Sequence, residues 1–302
     1  MAIAARSLIA DISGADARGD LRESYAYCRR VMHRSASSFS AALWMLSRPE
    51  RDALCAIYAF CRLADDIADD PGIAGDRARL LARWRRELAA AYQGTARHPV
   101  GVALSDTVRR FRLPEAIFQD LLSGIESDVR GDRMETFHDL ERYCYCVAST
   151  IGLLVVRVLG YRNPQSLDYA TAMGIGVQLT NVLRDVGTDA ASGRVYLARE
   201  DLERMGVELD SLRGARMTDE LRLLLALYAE RARLYYERAD AILPEEDRRA
   251  LRPAEAMGRI YRVLLDELQR RRFPCLTGAL RLSTRRRLAI TAAVWLGRGT
   301  WA

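Results

Sequence analysis

Helical periodicity is the feature that most constrains how this 302-residue chain can fold. Apolar residues recur at spacings of three and four over long stretches, whereas alternating strand patterns bounded by turns are nearly absent. Proline interrupts the pattern at Pro71, Pro114, Pro164 and Pro244, where a helix is expected to end or begin. The sequence therefore predicts an all-α protein.

The helical stretches follow one another without a low-complexity linker, so we expect a single domain over residues 1–302, with residues 1–20 as a flexible N-terminal extension. Two stretches, Tyr143 to Leu159 and Tyr169 to Leu183, are apolar on most sides and are expected to be central. The predicted helices are Leu21 to Met32, Pro49 to Asp69, Ala74 to Tyr92, Val102 to Phe111, Glu115 to Val129, Leu140 to Leu159, Pro164 to Asp185, Asp219 to Ile242 and Arg252 to Arg272.

Two pairs of aspartates share one spacing. Asp65 and Asp69 are four residues apart, and so are Asp185 and Asp189. On a helix this spacing places both carboxylates on one face, with Cβ atoms about 5–6 Å apart. Mg²⁺ takes oxygen ligands and is typically held by one or two carboxylates together with waters and substrate phosphates. The repeated pair therefore indicates a metal cluster that binds a diphosphate.

The alternative is that each pair lies on a solvated helix face, as isolated charged runs usually do. The context favours the metal. Apolar residues 53–60 and 172–179 lead directly into the two acidic runs, which points the carboxylates inward. Like charges at this spacing repel and burial adds a desolvation cost, so a divalent cation is the expected counter-ion.

The charge composition argues against nucleic acid as a partner. The net charge is +6, but 40 acidic residues are interleaved with 46 basic ones, all of them arginine, and no undiluted basic stripe is present. The clusters Arg270 to Arg272 and Arg285 to Arg287 are read either as solvated helix ends or as residues attracted to an anionic membrane surface.

The expected location is cytoplasmic, with peripheral membrane association left open. The six cysteines fall in apolar helical patterns, as in a reducing compartment. Charges at Arg6, Asp11 and Asp16 interrupt the N-terminus before a secretory signal can form. The apolar run 288–296 is too short to span a bilayer, which needs about 20 residues.

Small residues in the central helices have two explanations. Glycine lowers helix stability by about 1 kcal/mol relative to alanine, yet Gly152, Gly174 and Gly176 lie there, near Ala148 and Ser149. Close helix packing is one explanation. Room for a long ligand between the helices is the other.

Several longer motifs together resemble one family. They are Ser37-Ser-Phe39, Tyr58-x-x-x-Arg62-x-x-Asp65-Asp-x-x-Asp69, Tyr143-Cys-Tyr-x-Val-Ala148, Gln178-Leu-Thr-Asn181-Val-Leu-Arg184-Asp185-Val-Gly-x-Asp189, Gly193-Arg-Val-Tyr-Leu197 and Ile260-Tyr-Arg262. Nearly the whole chain is similar to the head-to-head prenyl synthases, which include squalene, dehydrosqualene and phytoene synthases. The resemblance implies the helical isoprenoid-synthase bundle with a central cavity.

The resemblance also implies a role for each motif residue. The four paired aspartates would bind Mg²⁺, with Mn²⁺ as an alternative, and the metal would bridge the substrate diphosphates. Arg62 and Arg184 would face the departing pyrophosphate, with Tyr58 and Tyr143 as active-site phenols, although Tyr143 also fits a core tyrosine. The substrate contacts implied are Ser38, Phe39, Gln178, Asn181, Arg194 and Tyr261.

The implied reaction joins two prenyl diphosphates through a cyclopropylcarbinyl diphosphate. Proton loss would then give phytoene or dehydrosqualene, and squalene would require NADPH. The sequence of residues 186–188 and the Tyr143–Tyr145 run look more like phytoene and dehydrosqualene synthases. Ser37 and Ser149 look more like presqualene-forming relatives. We expect two geranylgeranyl diphosphates to give phytoene, with farnesyl diphosphate as the alternative substrate.

Two other classes of protein are alternatives to a head-to-head prenyl synthase, and each differs from it in one feature. Head-to-tail prenyl elongases and terpene cyclases also use Mg²⁺, but their aspartate-rich motifs have other spacings. A helical scaffold without catalytic activity would need no divalent metal.

Overall fold

The computed structural model describes residues 20–34, 46–70, 76–214, 217–276 and 278–296. All regular secondary structure in these ranges is helical, which confirms the all-α prediction. Residues 1–19 of the expected N-terminal extension lie outside the described residues. The helices are α1 (Leu21–Arg34), α2 (Arg48–Asp69), α3 (Arg77–Gln93), α4 (Pro99–Phe111), α5 (Glu115–Arg130), α6 (Phe137–Cys144), α7 (Thr150–Leu159), α8 (Gln165–Ala191), α9 (Arg199–Arg204), α10 (Leu209–Arg213), α11 (Asp219–Ile242), α12 (Arg248–Arg270) and α13 (Thr284–Trp295).

Two helices differ from the prediction: one is longer than predicted, and the other was not predicted at all. Helix α8 continues to Ala191, past the predicted end at Asp185, so Asp185 and Asp189 lie on the same helix. Helix α13 was not predicted, although Arg285 to Arg287 were read as a solvated helix end or as a cluster attracted to a membrane. Ser283 caps it by accepting a hydrogen bond from the Arg286 amide, a common way to begin a helix.

The described residues fall into two compact units. The first contains the described residues up to Arg130 together with Arg157–Leu159, and the second contains Gly131–Val156 and the described residues from Gly160 onward. The single domain over residues 1–302 stays a prediction.

Helix α2 organises the first unit. It begins with a capping box between Ser47 and Glu50 and has a proline in its first turn, which together fix its start. Its apolar face is buried, and Phe60 stacks on Trp84 at 5.2 Å and meets the edge of Phe118 at 5.5 Å. The Trp84 indole N–H donates to the Phe60 carbonyl. This packing fixes the helix whose last turns carry the first acidic pair.

Helix α8 is the central element of the second unit and is buried on most sides, as predicted. Helix α11 packs along it, and the hydroxyls of Tyr236 and Thr180 are 2.8 Å apart. A Cβ on Gly176 would lie 2.9 Å from the Tyr236 ring, so only glycine leaves room for this ring.

A single π-helical turn, Tyr145–Ser149, joins α6 to α7. Ser149 donates from its hydroxyl to the Thr171 carbonyl on α8 at 2.7 Å. A Cβ on Gly174 would lie 2.4 Å from the Ser149 Cα, and one on Gly152 would lie 3.0 Å from the Ala170 carbonyl oxygen. Close helix packing therefore accounts for Gly152, Gly174 and Gly176.

The stretch Phe137–Leu159 is the one candidate membrane span found in the described residues, judged by length and mean hydropathy. Half of the residues in its apolar window are buried inside the structure, and its π turn packs on α8. These contacts are those of a core helix.

We expect Gly174→Ala to lower the free energy of unfolding by about 1–3 kcal/mol, because overpacking against backbone atoms forces the two helices apart. Gly258→Ala is the matched control. There the new Cβ meets the flexible end of Met173, which can move, and alanine gains about 1 kcal/mol of helix propensity. Urea unfolding of both variants measures the difference. Equal destabilisation would show that backbone contact at Ser149 is not the limiting factor.

Candidate active site

Four site residues predicted from the sequence form one stripe on α2. Tyr58, Arg62, Asp65 and Asp69 follow each other at helical spacing, with Tyr58 and Asp65 half-buried and Asp69 exposed. The Arg62 guanidinium lies 2.5 Å from the carboxylate of Asp66. The first acidic pair and its arginine are thus presented on one face of this helix, as predicted.

The electrostatics of Asp65 show how costly this arrangement is. Burial, and after it the charges of Asp69, Asp66 and Asp128, together raise the pKa of Asp65 to about 7, against the opposing effect of Arg62. Asp128, on α5, was missed by sequence reasoning because it belongs to no acidic pair. Its charge reaches Asp65 only through the packing of the first unit.

Both acidic motifs lie at the C-terminal ends of their helices. Neither α2 nor α8 has a basic residue in its last turn. Because the C-terminal end of a helix carries a partial negative charge, it favours cations and disfavours carboxylates. Within each motif, the aspartates and the helix end therefore add to one negative potential, which suits a divalent cation.

Asn181 lies one turn before Asp185 on α8. Its amide nitrogen donates to the Gln178 side-chain oxygen at 3.2 Å, while its buried side-chain oxygen Oδ1 has no hydrogen-bond partner in the part of the chain that the structure describes. A buried polar atom without a partner is unusual and needs an explanation. An amide oxygen is a ligand that Mg²⁺ accepts, so Asn181 fits a place in the metal site.

Arg184 and Asp185 form an ion pair within the second motif. The Arg184 Nε donates to Asp185 Oδ1 at 2.8 Å, and a second guanidinium nitrogen contacts Oδ2. Burial alone would lower the pKa of Arg184, but its hydrogen bonds to Asp185 and Tyr261 raise it. The structure therefore brings Arg184 and Asp185 of α8 together with Tyr261 of α12, and all three are site residues predicted from the sequence.

The chain turns back just after α8. Gly193 has a positive φ of 81°, and the Arg194 amide donates to the Asp189 carbonyl at 2.9 Å. Such a left-handed glycine commonly ends a helix. Two residues further on, the ring of Tyr196 stacks on Tyr143 at 4.9 Å between centroids. The turn thus places Arg194 beside the end of the second acidic motif and gives Tyr143 an aromatic partner.

The segment after α12 crosses the second acidic motif. The Gly187 amide donates to the Cys275 carbonyl at 3.3 Å, and a Cβ on Gly187 would lie 2.7 Å from that oxygen and from Leu276. Burial raises the pKa of Cys275 to about 11, and the charge of Asp185 adds to the shift. This contact was not predicted from the sequence. The sequence feature that indicates it is the glycine within the acidic motif, since an isolated glycine inside a helix can have a packing reason.

Ser38 and Phe39, predicted to contact substrate, lie outside the described residues, as does Ser37. Among the residues that the structure describes, no group of three or more His, Cys, Asp or Glu side chains could hold a metal ion by itself. Mg²⁺ does not require one, because phosphates and waters complete its coordination. Each acidic motif, with the unpartnered Asn181 oxygen in the second, fits such a metal.

An all-helical fold with these paired carboxylates defines the class of isoprenoid synthases. The structure superposes on a crystal structure of a dehydrosqualene synthase with ligand, with a TM-score of 0.81 and 29% identity over 93% of this chain and 98% of the other. A squalene synthase from Alicyclobacillus acidocaldarius gives a TM-score of 0.74 and 32% identity over 84% of this chain and 95% of that protein. The helical isoprenoid-synthase fold is confirmed.

Residues 32–288 match the family described as squalene/phytoene synthase. This chain belongs to that family, whose members depend on divalent metal ions.

Similar proteins of the family include phytoene synthases. The chain is 33% identical to 15-cis-phytoene synthase of Synechococcus elongatus over 85% of this chain and 87% of the relative. It is also 33% identical to the chloroplastic phytoene synthase 1 of Zea mays, over 83% of this chain and 63% of the relative. The chain thus spans less than two thirds of the length of the maize protein.

We expect the metal-free protein to lose stability as pH rises from about 4 to about 7 through the titration of Asp65. An unfolded aspartate has a pKa near 3.9, so over this window the folded state keeps a proton that the unfolded state has released. Asp65→Asn should therefore be more stable than the wild type at pH 8 and similar to it at pH 4. Urea unfolding with a chelator at both pH values measures this.

Asp210→Asn is the control, because that carboxylate is 92% exposed. A pH-independent difference between Asp65→Asn and the wild type would contradict the raised pKa.

Proposed function

We propose that this chain catalyses a Mg²⁺-dependent head-to-head condensation of two geranylgeranyl diphosphates to phytoene. The observation that carries the proposal is the similarity to 15-cis-phytoene synthase of Synechococcus elongatus along most of both chains. The arrangement of the acidic motifs is compatible with it. Farnesyl diphosphate is the alternative substrate, which fits the dehydrosqualene and squalene synthases among the structural neighbours.

We assign metal binding to the two acidic motifs. Asp65 and Asp69 would hold Mg²⁺ at the end of α2, and Asp185, Asp189 and the unpartnered oxygen of Asn181 would do so at the end of α8. Mn²⁺ is an alternative ion. When bound, the metal supplies charge neutralisation for the diphosphate and assists its departure.

The arginines would bind diphosphate as planar forks, for which a lysine is no substitute. Arg62 and Arg184 are now paired with Asp66 and Asp185. We infer that a bound diphosphate shares these guanidinium groups, because its oxygens carry more charge than a single carboxylate. Arg194 at the end of α8 would be a further contact.

The phenols would position the diphosphate and the hydrocarbon. Tyr261 reaches the Arg184 guanidinium and can hold it toward the diphosphate. Tyr143 is held face to face with Tyr196, so one π face is fixed and its hydroxyl can guide proton loss. Tyr58 would contact the first diphosphate from α2, with Gln178 as a polar group on α8, and Ser38 and Phe39 as further substrate contacts.

The proposed chemistry has two halves. In the first, the allylic C–O bond breaks, pyrophosphate leaves with the electron pair, and the double bond of the second substrate captures the cation. Loss of a proton then closes the cyclopropane ring. In the second, the remaining diphosphate leaves, the carbon skeleton rearranges, and a second proton is lost. NADPH has a role only if the product is squalene, where hydride replaces the second proton loss.

Product identification tests the proposal. We expect the protein with Mg²⁺ and geranylgeranyl diphosphate to release pyrophosphate and form phytoene, with no effect of NADPH and slower turnover of farnesyl diphosphate. A C30 product formed at the higher kcat/KM would establish the alternative substrate. No pyrophosphate release from either substrate would contradict catalysis and favour a scaffold.

Variants of the acidic motifs are the internal control for that experiment. Asp65→Ala and Asp185→Ala should each lower kcat/KM by about 10²–10³ or more, as expected when a group that stabilises a developing charge is lost, while Asp210→Ala should not. Retained turnover in both motif variants would contradict metal binding there.

We further propose that the protein acts at the cytoplasmic face of a membrane. The side chains of Leu288 on helix α13 and of Leu296 directly after it are 51% and 70% exposed. Arg285 and Arg286 are exposed on the first turn of α13. Basic residues near an anionic bilayer contribute about 1 kcal/mol each. The six cysteines all lie in the described residues and none of them forms a disulfide, which suits a reducing compartment.

Sedimentation with lipid vesicles tests this location. We expect the wild type to bind vesicles containing phosphatidylglycerol and not those of phosphatidylcholine alone, and Leu288→Asp to weaken binding. Leu234→Asp is the control, since Leu234 is 64% exposed on α11. Equal binding by all three proteins would mean that α13 is not the contact.

A further inference from the structure

A charged cavity of about 420 Å³ lies in the second unit, and neither Asp185 nor Asp189 lines it. Its walls come from the N-terminal half of α8, the end of α11, the first turns of α12 and the end of α13. On α8 its lining residues are Tyr169 and Met173. Asp185 lies sixteen positions after Tyr169 on the same helix, about 24 Å along its axis at 1.5 Å per residue.

One face of α12 supplies most of the charge. Arg248, Arg252, Glu255, Arg259 and Arg262 all line the cavity, and their spacings of four, three, four and three residues keep them in one stripe along the helix. With Arg249, Asp240 and Glu245, the lining holds five arginines and three carboxylates. The cavity therefore carries an excess of positive charge.

The carboxylates are already paired with two of the arginines. Glu245 and Glu255 lie 2.8 Å and 3.0 Å from Arg248, and Asp240 forms a two-point contact with Arg262. With five arginines to three carboxylates, the lining as a whole stays positive and attracts an anion. Arg252 lies over the ring of Trp295 at 5.8 Å, which holds its guanidinium near α13.

Tyr169 provides an independent sign of a ligand. Its side chain is 1% exposed, yet its hydroxyl has no hydrogen-bond partner among the described residues. The charges of Glu255, Arg262 and Asp240 act on it, so it lies among the lining groups. Burial raises the pKa of Tyr169, which keeps the hydroxyl protonated and able to donate. A buried donor without an acceptor is costly, and an anion would satisfy it.

We propose that this cavity binds a phosphate group, held by Arg252 and Arg259 on α12 and by the Tyr169 hydroxyl on α8. Guanidinium forks match phosphate oxygens in a bidentate manner, and phosphate accepts several hydrogen bonds at once. The charged lining does not suit a prenyl chain. The site shares no lining residue with the second acidic motif and does not depend on Mg²⁺.

Titration calorimetry with inorganic phosphate, in the presence of a chelator, tests the site on the full chain. We expect millimolar or tighter binding by the wild type, weakened about tenfold or more in Arg259→Gln and in Arg252→Gln, as for the loss of a charged hydrogen bond. Arg238→Gln on α11 removes the same charge from an exposed position and should bind like the wild type. Glycerol 3-phosphate in place of phosphate shows whether an ester is accepted.

Tyr169→Phe separates ligand binding from a structural role. It should weaken phosphate binding and raise the Tm of the phosphate-free protein, because it removes a buried donor that has no partner. The site is overturned if the wild type shows no binding, if Tyr169→Phe and Arg259→Gln bind as tightly as the wild type, or if Arg184→Gln alone abolishes binding. The last result would assign the phosphate to the active site, and it leaves the proposed condensation untouched.

Discussion

Carboxylates at the C-terminal ends of helices are repelled by each other and by the helix dipole. Both unfavourable interactions are present in both acidic motifs, and the Asp65 carboxyl also carries the desolvation cost of burial. A chain keeps such an arrangement only where a cation offsets it and the surrounding packing is strong enough to hold it. In the first unit the stacked rings of Phe60 and Trp84 support α2, and in the second α8 is enclosed by its neighbours.

Helix α8 separates two kinds of charge along its length. Its last turns carry carboxylates, whereas its first turns face the arginine stripe of α12. Between its first and last turns the helix is almost uncharged and its neighbours approach closely at glycines. Gly174 packs against the Ser149 backbone and Gly176 against the Tyr236 ring. The close packing of this middle portion gives both ends a rigid support, so groups at either end keep their positions without contacting each other.

Local spacing was enough to predict the acidic pairs and the longer helices, but not α9, α10 or α13, because a helix converts sequence distance directly into a shared face only where the periodic pattern is long. The all-α class and the central position of α8 follow from periodicity alone. Asp128 and Cys275 could not be found in this way, since Asp128 raises the pKa of Asp65, and Asp185 raises that of Cys275, between elements far apart in sequence. The π turn at Tyr145–Ser149 also leaves no periodic signal, because it adds only one residue to an apolar helix.

The carbonyl of Cys275 rests on Gly187, between the two aspartates of the second motif. Ribosomes make the motif long before they make the segment that packs on Gly187, so the nascent chain carries this helix without that backbone contact while α11 and α12 are still being synthesised. A chain released early, before residue 275, would hold the acidic motif in full and still lack the backbone that packs against its Gly187.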